Sequence, residues 1–222
     1  LALARLVALL PSDQGLTGLV AMVSAITMTL GNLAALRQTN VRRLLGWSSV
    51  SQSGYALMAI AVIEQGGRAV AALLVFLFAY ALANLTAFAV VTHLRGRTEL
   101  NDYRGMGRAQ PFAAAVLIVA MLSLVGIPPL VGFFGKFLLL EVALEADYAW
   151  LAVIAVLNTL VSLYYYLRVA AVMTFQRPTG NVFVLGNASR IALLLAAMLL
   201  VASSLGVEAL LNLASIPLAD WQ

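Results

Sequence analysis

The residue with the clearest capacity for chemistry is Lys136, the only lysine in the chain. It lies in the almost wholly apolar stretch SLVGIPPLVGFFGKFLLLEVAL, seven residues after the second of two adjacent prolines, Pro128 and Pro129. A charged side chain at the centre of a membrane costs at least about 2.5–3.5 kcal/mol. Burial favours the neutral form of an amine, whereas a guanidinium stays protonated. Lys136 is therefore either a proton-relay residue or a lysine whose side chain snorkels to the interface.

The two prolines predict a break in the helix that carries Lys136. Proline has no amide donor, and it disfavours helix at the residue before it. Gly126 and Gly132 flank the prolines and allow other backbones to approach closely. Carbonyl groups freed at such a break need partners from protein or water, and broken transporter helices mark ion or substrate sites.

Polar residues near the start of another apolar run are a second group of candidates. Arg42 and Arg43 are typical of a topology signal at a helix start that Thr39 or Asn40 caps. The polar patch that follows them either lines a water path or joins helices by hydrogen bonds. The patch consists of Ser48, Ser49, Ser51, Gln52, Ser53 and Tyr55.

Two further segments carry candidate residues. His93 lies at the end of an apolar run and is either an interfacial residue or a proton-relay group. In LNTLVSLYYYLRV the three tyrosines fit an aromatic belt, while Thr159 and Ser162 either join helices or face the same aqueous interior as Lys136. We recognise no nucleophile–base pair, phosphate loop or metal cluster, and we predict no metal site.

The composition indicates that these residues are held by a membrane protein. The 222 residues are 63% hydrophobic and 10% charged, with a mean hydropathy of +1.00, whereas soluble domains average about 25% charged residues. Twelve of the 13 basic residues are arginines, mostly near the ends of apolar runs, which is a topology pattern and not a nucleic-acid-binding face. The absence of cysteine excludes disulfides and cysteine-ligated clusters. The chain begins without methionine inside an apolar run, so we expect its beginning to be missing.

The apolar runs predict an all-α, polytopic transmembrane bundle. They do not alternate apolar and polar residues as barrel strands would, and most are near the roughly 20 residues that a spanning helix needs. After a stub at residues 1–10, the runs are Gly15–Leu36, Val41–Ile63, Ala69–Leu94, Pro111–Leu144, Tyr148–Thr174 and Arg190–Leu213.

The distribution of charged residues over the loops indicates how the long run from Pro111 crosses the membrane. If it crosses once, ten arginines and only two acids, Glu99 and Asp102, lie on one face, and the other seven acids lie opposite. The positive-inside rule favours this single broken crossing and places the arginine-rich loops in the cytoplasm. The predicted parts are a helix tail and loop at 1–14, a five-helix repeat at 15–174 with a broken helix at 111–145, and a loop with a final helix at 175–222. The ten arginines are Arg37, Arg42, Arg43, Arg95, Arg97, Arg104, Arg108, Arg168, Arg177 and Arg190.

The chain resembles the antiporter-like membrane subunits of proton-pumping NADH:quinone oxidoreductase, respiratory complex I. The resemblance is closest to subunit N and covers nearly the whole chain. Three motifs in the same order carry it: GNLAALRQTNVRRLLGWSSVSQSGY, SLVGIPPLVGFFGKF and NTLVSLYYYLRV. Subunits L and M typically have histidines and a lysine where this chain has VFLFAYALANLTAFAVV, which contains no lysine.

The resemblance implies a fold of two inverted five-helix repeats, of which this chain matches the second and a final helix. Lys136 matches the family's lysine in the second broken helix, which is implicated in the proton path. The family usually has VKRLL where this chain has VRRLL, so Arg42 replaces a lysine. Because arginine stays protonated, the resemblance implies a structural charge at that position.

The function that the resemblance implies is proton translocation driven by quinone reduction in a bacterial inner-membrane complex. This subunit would have no redox centre, with NADH, FMN, iron–sulfur clusters and quinone bound elsewhere in the assembly. Its expected partners are lipid and other membrane subunits, especially subunits M and K. The alternatives are a subunit of a multisubunit cation/proton antiporter or membrane-bound hydrogenase, and a purely structural membrane scaffold.

Overall fold

The computed structural model of the chain describes residues 14–94, 96–177, 187–209 and 212. These residues form helices joined by short connections, and the predicted all-α fold is confirmed. The helices are α1 (Gln14–Leu36), α2 (Val41–Ala61), α3 (Gly67–His93), α4 (Met106–Ala109), α5 (Pro111–Val125), α6 (Val131–Glu145), α7 (Ala149–Phe175) and α8 (Asn187–Leu205), with 3₁₀ turns at Ile63–Gln65 and Leu100–Tyr103.

Some predicted regions lie outside the described residues. These are residues 1–13 of the expected tail, and residues 178–186, 210, 211 and 213–222 of the expected final segment. Arg95, one of the arginines in the charge count, also lies outside them.

Three of the described helices, α1, α3 and α7, are long and apolar enough to cross a membrane. A fourth candidate exists if Leu100–Ala109 and Pro111–Val125, which are bent by 120°, form one span. Helix α2 has 21 residues but carries Arg42, Arg43 and the polar patch. Helices α5 and α6 have 15 residues each, about 22 Å, which is less than the roughly 30 Å of a hydrocarbon core.

Helices α5 and α6 lie one after the other along α3. Residues 69–76 of α3 share a core with the second half of α6, whereas residues 79–91 share a core with α5. Arg68 at the start of α3 forms ion pairs with Glu141 and Glu145 near the end of α6. The path from α5 to α6 therefore runs antiparallel to the 27-residue helix α3.

Small residues let α1 and α2 pack with their backbones in contact. A Cβ atom on Gly54 would lie 2.5 Å from the backbone nitrogen of Met28, and one on Gly31 would overlap the backbone of Ser51. Ser24 also donates a hydrogen bond of 2.6 Å to the carbonyl of Gly54. Such close approach increases dispersion contact where lipid offers no hydrophobic driving force between helices.

Polar groups organise the end of the bundle that holds many of the arginines. Asn40 caps α2 by accepting a hydrogen bond from the backbone N–H of Arg43. The backbone N–H of Val41 donates to the carbonyl of Thr98 at 2.7 Å, which joins α2 to the loop after α3. Arg168 of α7 donates to the carbonyls of Leu36 and Gln38. It thereby supplies hydrogen-bond donors to carbonyl groups at the C-terminal end of α1 and just after it.

Candidate functional site

The predicted break separates α5 from α6 at residues 126–130. Gly126 ends α5 in the left-handed region, with φ of 91°, and its N–H donates to the carbonyls of Leu122 and Ser123 at 3.1 and 3.0 Å. This conformation is easy for glycine because it has no Cβ. The Pro128–Pro129 bond is cis. The first backbone N–H of α6, that of Val131, donates to the Ser204 hydroxyl of α8 at 3.0 Å, so α8 lies against the break.

Lys136 turns back toward this break. Its ammonium donates to the carbonyl of Val125, the last residue of α5, at 3.0 Å, and the residue is only 6% exposed. The side chain therefore does not snorkel to the surface. The C-terminal end of a helix carries partial negative charge, which favours a cation there. Among the described residues, no carboxylate lies within 4.0 Å of this ammonium.

The ring of Tyr55 covers the Lys136 ammonium from α2. The nitrogen lies 4.4 Å from the ring centroid, within the range of a cation–π interaction. The Tyr55 hydroxyl donates to the carbonyl of Ala155 at 2.8 Å and lies 2.9 Å from the Thr159 hydroxyl. Thr159 therefore contacts Tyr55, which in turn contacts the Lys136 ammonium.

A small cavity of about 10 Å³ adjoins Lys136, about the space that one water molecule needs. The Ser123 hydroxyl is buried there and makes no hydrogen bond within the described part of the chain. Gln52 of the predicted polar patch donates to the carbonyl of Leu124 at 3.1 Å. The lining residues are Gln52, Phe76, Ala79, Tyr80, Ser123, Leu124, Gly132 and Lys136.

A buried amide pair extends the polar interior between α1 and α7. The Asn32 side chain donates to the carbonyl and side-chain oxygens of Asn158 at 3.0 and 2.9 Å, and it accepts a bond of 3.0 Å from the Tyr165 hydroxyl. Asn158 also donates to Thr29 at 3.0 Å. The polar groups of these helices are therefore largely paired with one another.

Other predicted residues lie away from Lys136 or bond locally. Ser49 donates to the carbonyl of Leu45 at 2.9 Å, and Ser162 donates to that of Thr159 at 2.7 Å, so both bond within their own helices. Arg42 and Arg43 are exposed in the first turn of α2. Nine residues, about 14 Å of helix, separate Arg43 from Gln52. His93 is buried in the last turn of α3.

The role of Tyr55 beside Lys136 was not predicted from the sequence. A signal exists, because Ser48, Gln52 and Tyr55 are spaced by four and three residues and share one face of a helix. The spacing identifies that face but not its neighbour, since 81 residues separate Tyr55 from Lys136.

Within its described residues the chain is a helical membrane bundle with a buried lysine at the break of a discontinuous helix. Residues 1–162 match the family described as NADH:quinone oxidoreductase/Mrp antiporter, TM. The chain belongs to this family.

The chain is similar in sequence to NADH-quinone oxidoreductase subunits N of several bacteria. The chain is 48% identical over 182 residues to NADH-quinone oxidoreductase subunit N of Mycobacterium sp. (strain JLS), an alignment that covers 81% of this chain and 39% of the relative. It is 49% identical over 152 residues to subunit N 1 of Streptomyces griseus, covering 68% of this chain and 32% of the relative. The chain thus spans about a third of the length of these relatives.

Solved structures share the fold. A chain of respiratory complex I from Thermus thermophilus with bound aureothin superposes with a TM-score of 0.78 at 36% identity, over 88% of this chain and 45% of that one. A chain of the Mrp complex from Dietzia sp. superposes with a TM-score of 0.82 at 22% identity, over 91% and 46% of the two chains. At that identity the likeness concerns the fold alone.

Proposed function

We propose that the chain is part of a proton-translocating membrane subunit of a bacterial NADH:quinone oxidoreductase, and that Lys136 relays protons. The observation that carries this proposal is the placement of the Lys136 ammonium, buried against the last carbonyl of a broken helix. The similarity to named subunit N relatives supports the choice of complex.

The surroundings of Lys136 suit a cation that must also give up its proton. A carboxylate in direct contact would hold the ammonium strongly in a low-dielectric interior. A helix C-terminus and an aromatic face stabilise it more weakly, so the charged and neutral forms can interconvert. The neighbouring cavity has room for a water molecule that could accept the proton. A shift of nearby charges during turnover would then change the protonation of Lys136.

The other predicted residues have supporting roles in this proposal. Thr159 anchors Tyr55, and Gly126, Pro128, Pro129 and Gly132 form the break that frees the carbonyl of Val125. Ser162 and Ser49 support the polar interior, while Arg42, Arg43 and His93 provide charge or polarity near the end of the bundle.

We also propose that α5 and α6 cross the membrane as one broken span at 111–145, within a repeat that covers residues 15–174. The arrangement of both helices in series along α3 supports this topology. The positive-inside rule then places the arginine-rich loops in the cytoplasm, with the bundle in the bacterial inner membrane.

In the proposed assembly, electron transfer takes place in other subunits. NADH, FMN, iron–sulfur clusters and quinone bind there, and this subunit contacts lipid and neighbouring membrane subunits, including M and K. Co-purification of the tagged full-length protein with flavin- and iron–sulfur-containing subunits tests this assembly. Recovery in a stable complex without them would favour a cation/proton antiporter.

Substitution of Lys136 in the assembled complex tests the relay. We expect Lys136→Ala to abolish proton pumping through this path and Lys136→Arg to lose much of it, because arginine keeps the charge but does not release a proton. Pumping is measured by the quench of a pH-sensitive dye in inverted membrane vesicles, beside NADH:quinone reductase activity. Phe137→Ala, on the same helix at a half-exposed position, is the control. Full pumping and quinone reduction in both Lys136 variants would refute the relay and favour a structural scaffold.

A further inference from the structure

We infer that Tyr55 is a positioning residue for Lys136, and that its ring face acts as the neutral partner of the ammonium. The inference rests on the proposed function, since it concerns how the relay group is held. Tyr55 is 2% exposed, and its centroid lies 4.4 Å from the ammonium nitrogen. The electron-rich face of an aromatic ring attracts a cation at this distance, and more strongly where water is excluded.

Contacts with two neighbouring helices, α7 and α3, hold the Tyr55 ring in place. Its hydroxyl bonds to the carbonyl of Ala155 and to Thr159, both on α7. The ring also lies against Phe76 of α3, with centroids 6.3 Å apart. The backbone of Phe76 lies close to that of α6, because a Cβ atom on Gly135 would lie 2.9 Å from the Phe76 Cα. The ring thus connects α2, α3 and α7 at the point where the lysine of α6 turns back.

The carbonyl of Val125 and the ring of Tyr55 approach the ammonium from different helices. Together they direct the side chain toward the break and the cavity instead of the lipid. The ring adds stabilisation without a formal charge, so it does not form the strong ion pair that would oppose proton release. Loss of the ring is therefore expected to let the Lys136 side chain leave its position.

Fluorinated phenylalanines at position 55 of the complete protein in the assembled complex test this inference. Successive fluorine atoms withdraw electron density from the ring face while its shape changes little. The series compares Tyr55→Phe, Tyr55→Leu, and replacement by mono- and trifluorophenylalanine. We expect Tyr55→Phe to keep pumping within about twofold, the fluorinated rings to lower it stepwise, and Tyr55→Leu to lower it on the order of tenfold. Complex assembly and NADH oxidation by an artificial electron acceptor are measured beside it.

Two results would overturn the inference. If the variant with trifluorophenylalanine at position 55 pumps as well as Tyr55→Phe, the ring only fills space. If Tyr55→Leu pumps as well as Tyr55→Phe, no aromatic face is needed. Lys136→Ala is measured in the same series, so that a failure of the proton relay can be distinguished from a failure of the positioning role of Tyr55. Loss of pumping in Lys136→Ala with no effect across the Tyr55 series refutes the role of Tyr55 alone, whereas full pumping in Lys136→Ala refutes the relay itself.

Discussion

Replacing Gly132 by alanine tests whether close packing across the helix break positions Lys136. Gly132 lies in the first turn of α6, four residues before Lys136 and therefore on the same face of the helix. A Cβ atom at Gly132 would overlap the carbonyl oxygen of Ser123 and lie 2.9 Å from the Ser123 hydroxyl oxygen. Because the overlap involves backbone, no side-chain rotation can relieve it, and α5 and α6 must move apart.

The overlap with backbone selects the general cost of overpacking as the measure of the expected effect. Overpacking costs about 1–3 kcal/mol, and alanine returns about 0.5–1 kcal/mol of helix stability relative to glycine. We expect a net destabilisation of about 1 kcal/mol, the difference between the middles of these two ranges. A separation on the order of 1 Å would also stretch the 3.0 Å bond between Lys136 and the carbonyl of Val125 beyond hydrogen-bonding distance.

The assay measures thermal inactivation of the assembled complex together with proton pumping. Gly46→Ala is the matched control, because Gly46 is also helical and a Cβ atom there meets nothing within 4 Å. We expect the control to be neutral or slightly stabilising with normal pumping, and Gly132→Ala to be less stable and to pump poorly. Equal stability and equal pumping in the two variants would show that close packing at Gly132 does not position Lys136.

Two further predictions concern groups outside the immediate site. Burial raises the pKa of Tyr103 well above its usual value, and the charge of Asp102 adds to this effect. The stability that neutral Tyr103 contributes is therefore present at neutral pH and lost as the pH rises above about 10. Tyr103→Phe should keep more activity than the wild type after incubation at such pH; identical alkaline inactivation curves would contradict this. Replacing Asn32 by leucine removes the donor to the Asn158 side-chain oxygen and the acceptor of the Tyr165 hydroxyl, at a cost of about 1–2 kcal/mol. Thermal inactivation measures this, with the exposed Leu33→Ala as control, and a variant as stable as that control would argue against the pairing.

Local sequence signals predicted the fold well. The predicted runs Gly15–Leu36 and Ala69–Leu94 correspond closely to α1 and α3, since long apolar segments must form helices in lipid. The double proline indicated the break because its effect on the backbone is local. The burial of Lys136 was foreseeable from its position in an apolar run, although snorkelling remained open until its contact with the carbonyl of Val125 was seen.

Contacts between distant segments were not predictable in the same way. Tyr55 and Thr159 are 104 residues apart, yet they share a hydrogen bond beside Lys136. Sequence periodicity indicates which residues share one helix face, but helix packing decides which faces meet. Ser49 belonged to a polar patch by sequence, yet its hydroxyl bonds to a carbonyl four residues earlier, a common alternative for serine in helices.

We propose that Lys136 carries protons during turnover. The most direct test is the number of protons translocated per NADH oxidised by the purified complex in sealed proteoliposomes, with Lys136→Gln compared with wild type. Glutamine is polar and of similar length but cannot carry the proton as lysine does. We expect a lower ratio for the variant in a fully assembled complex. An unchanged ratio with normal NADH oxidation would contradict it.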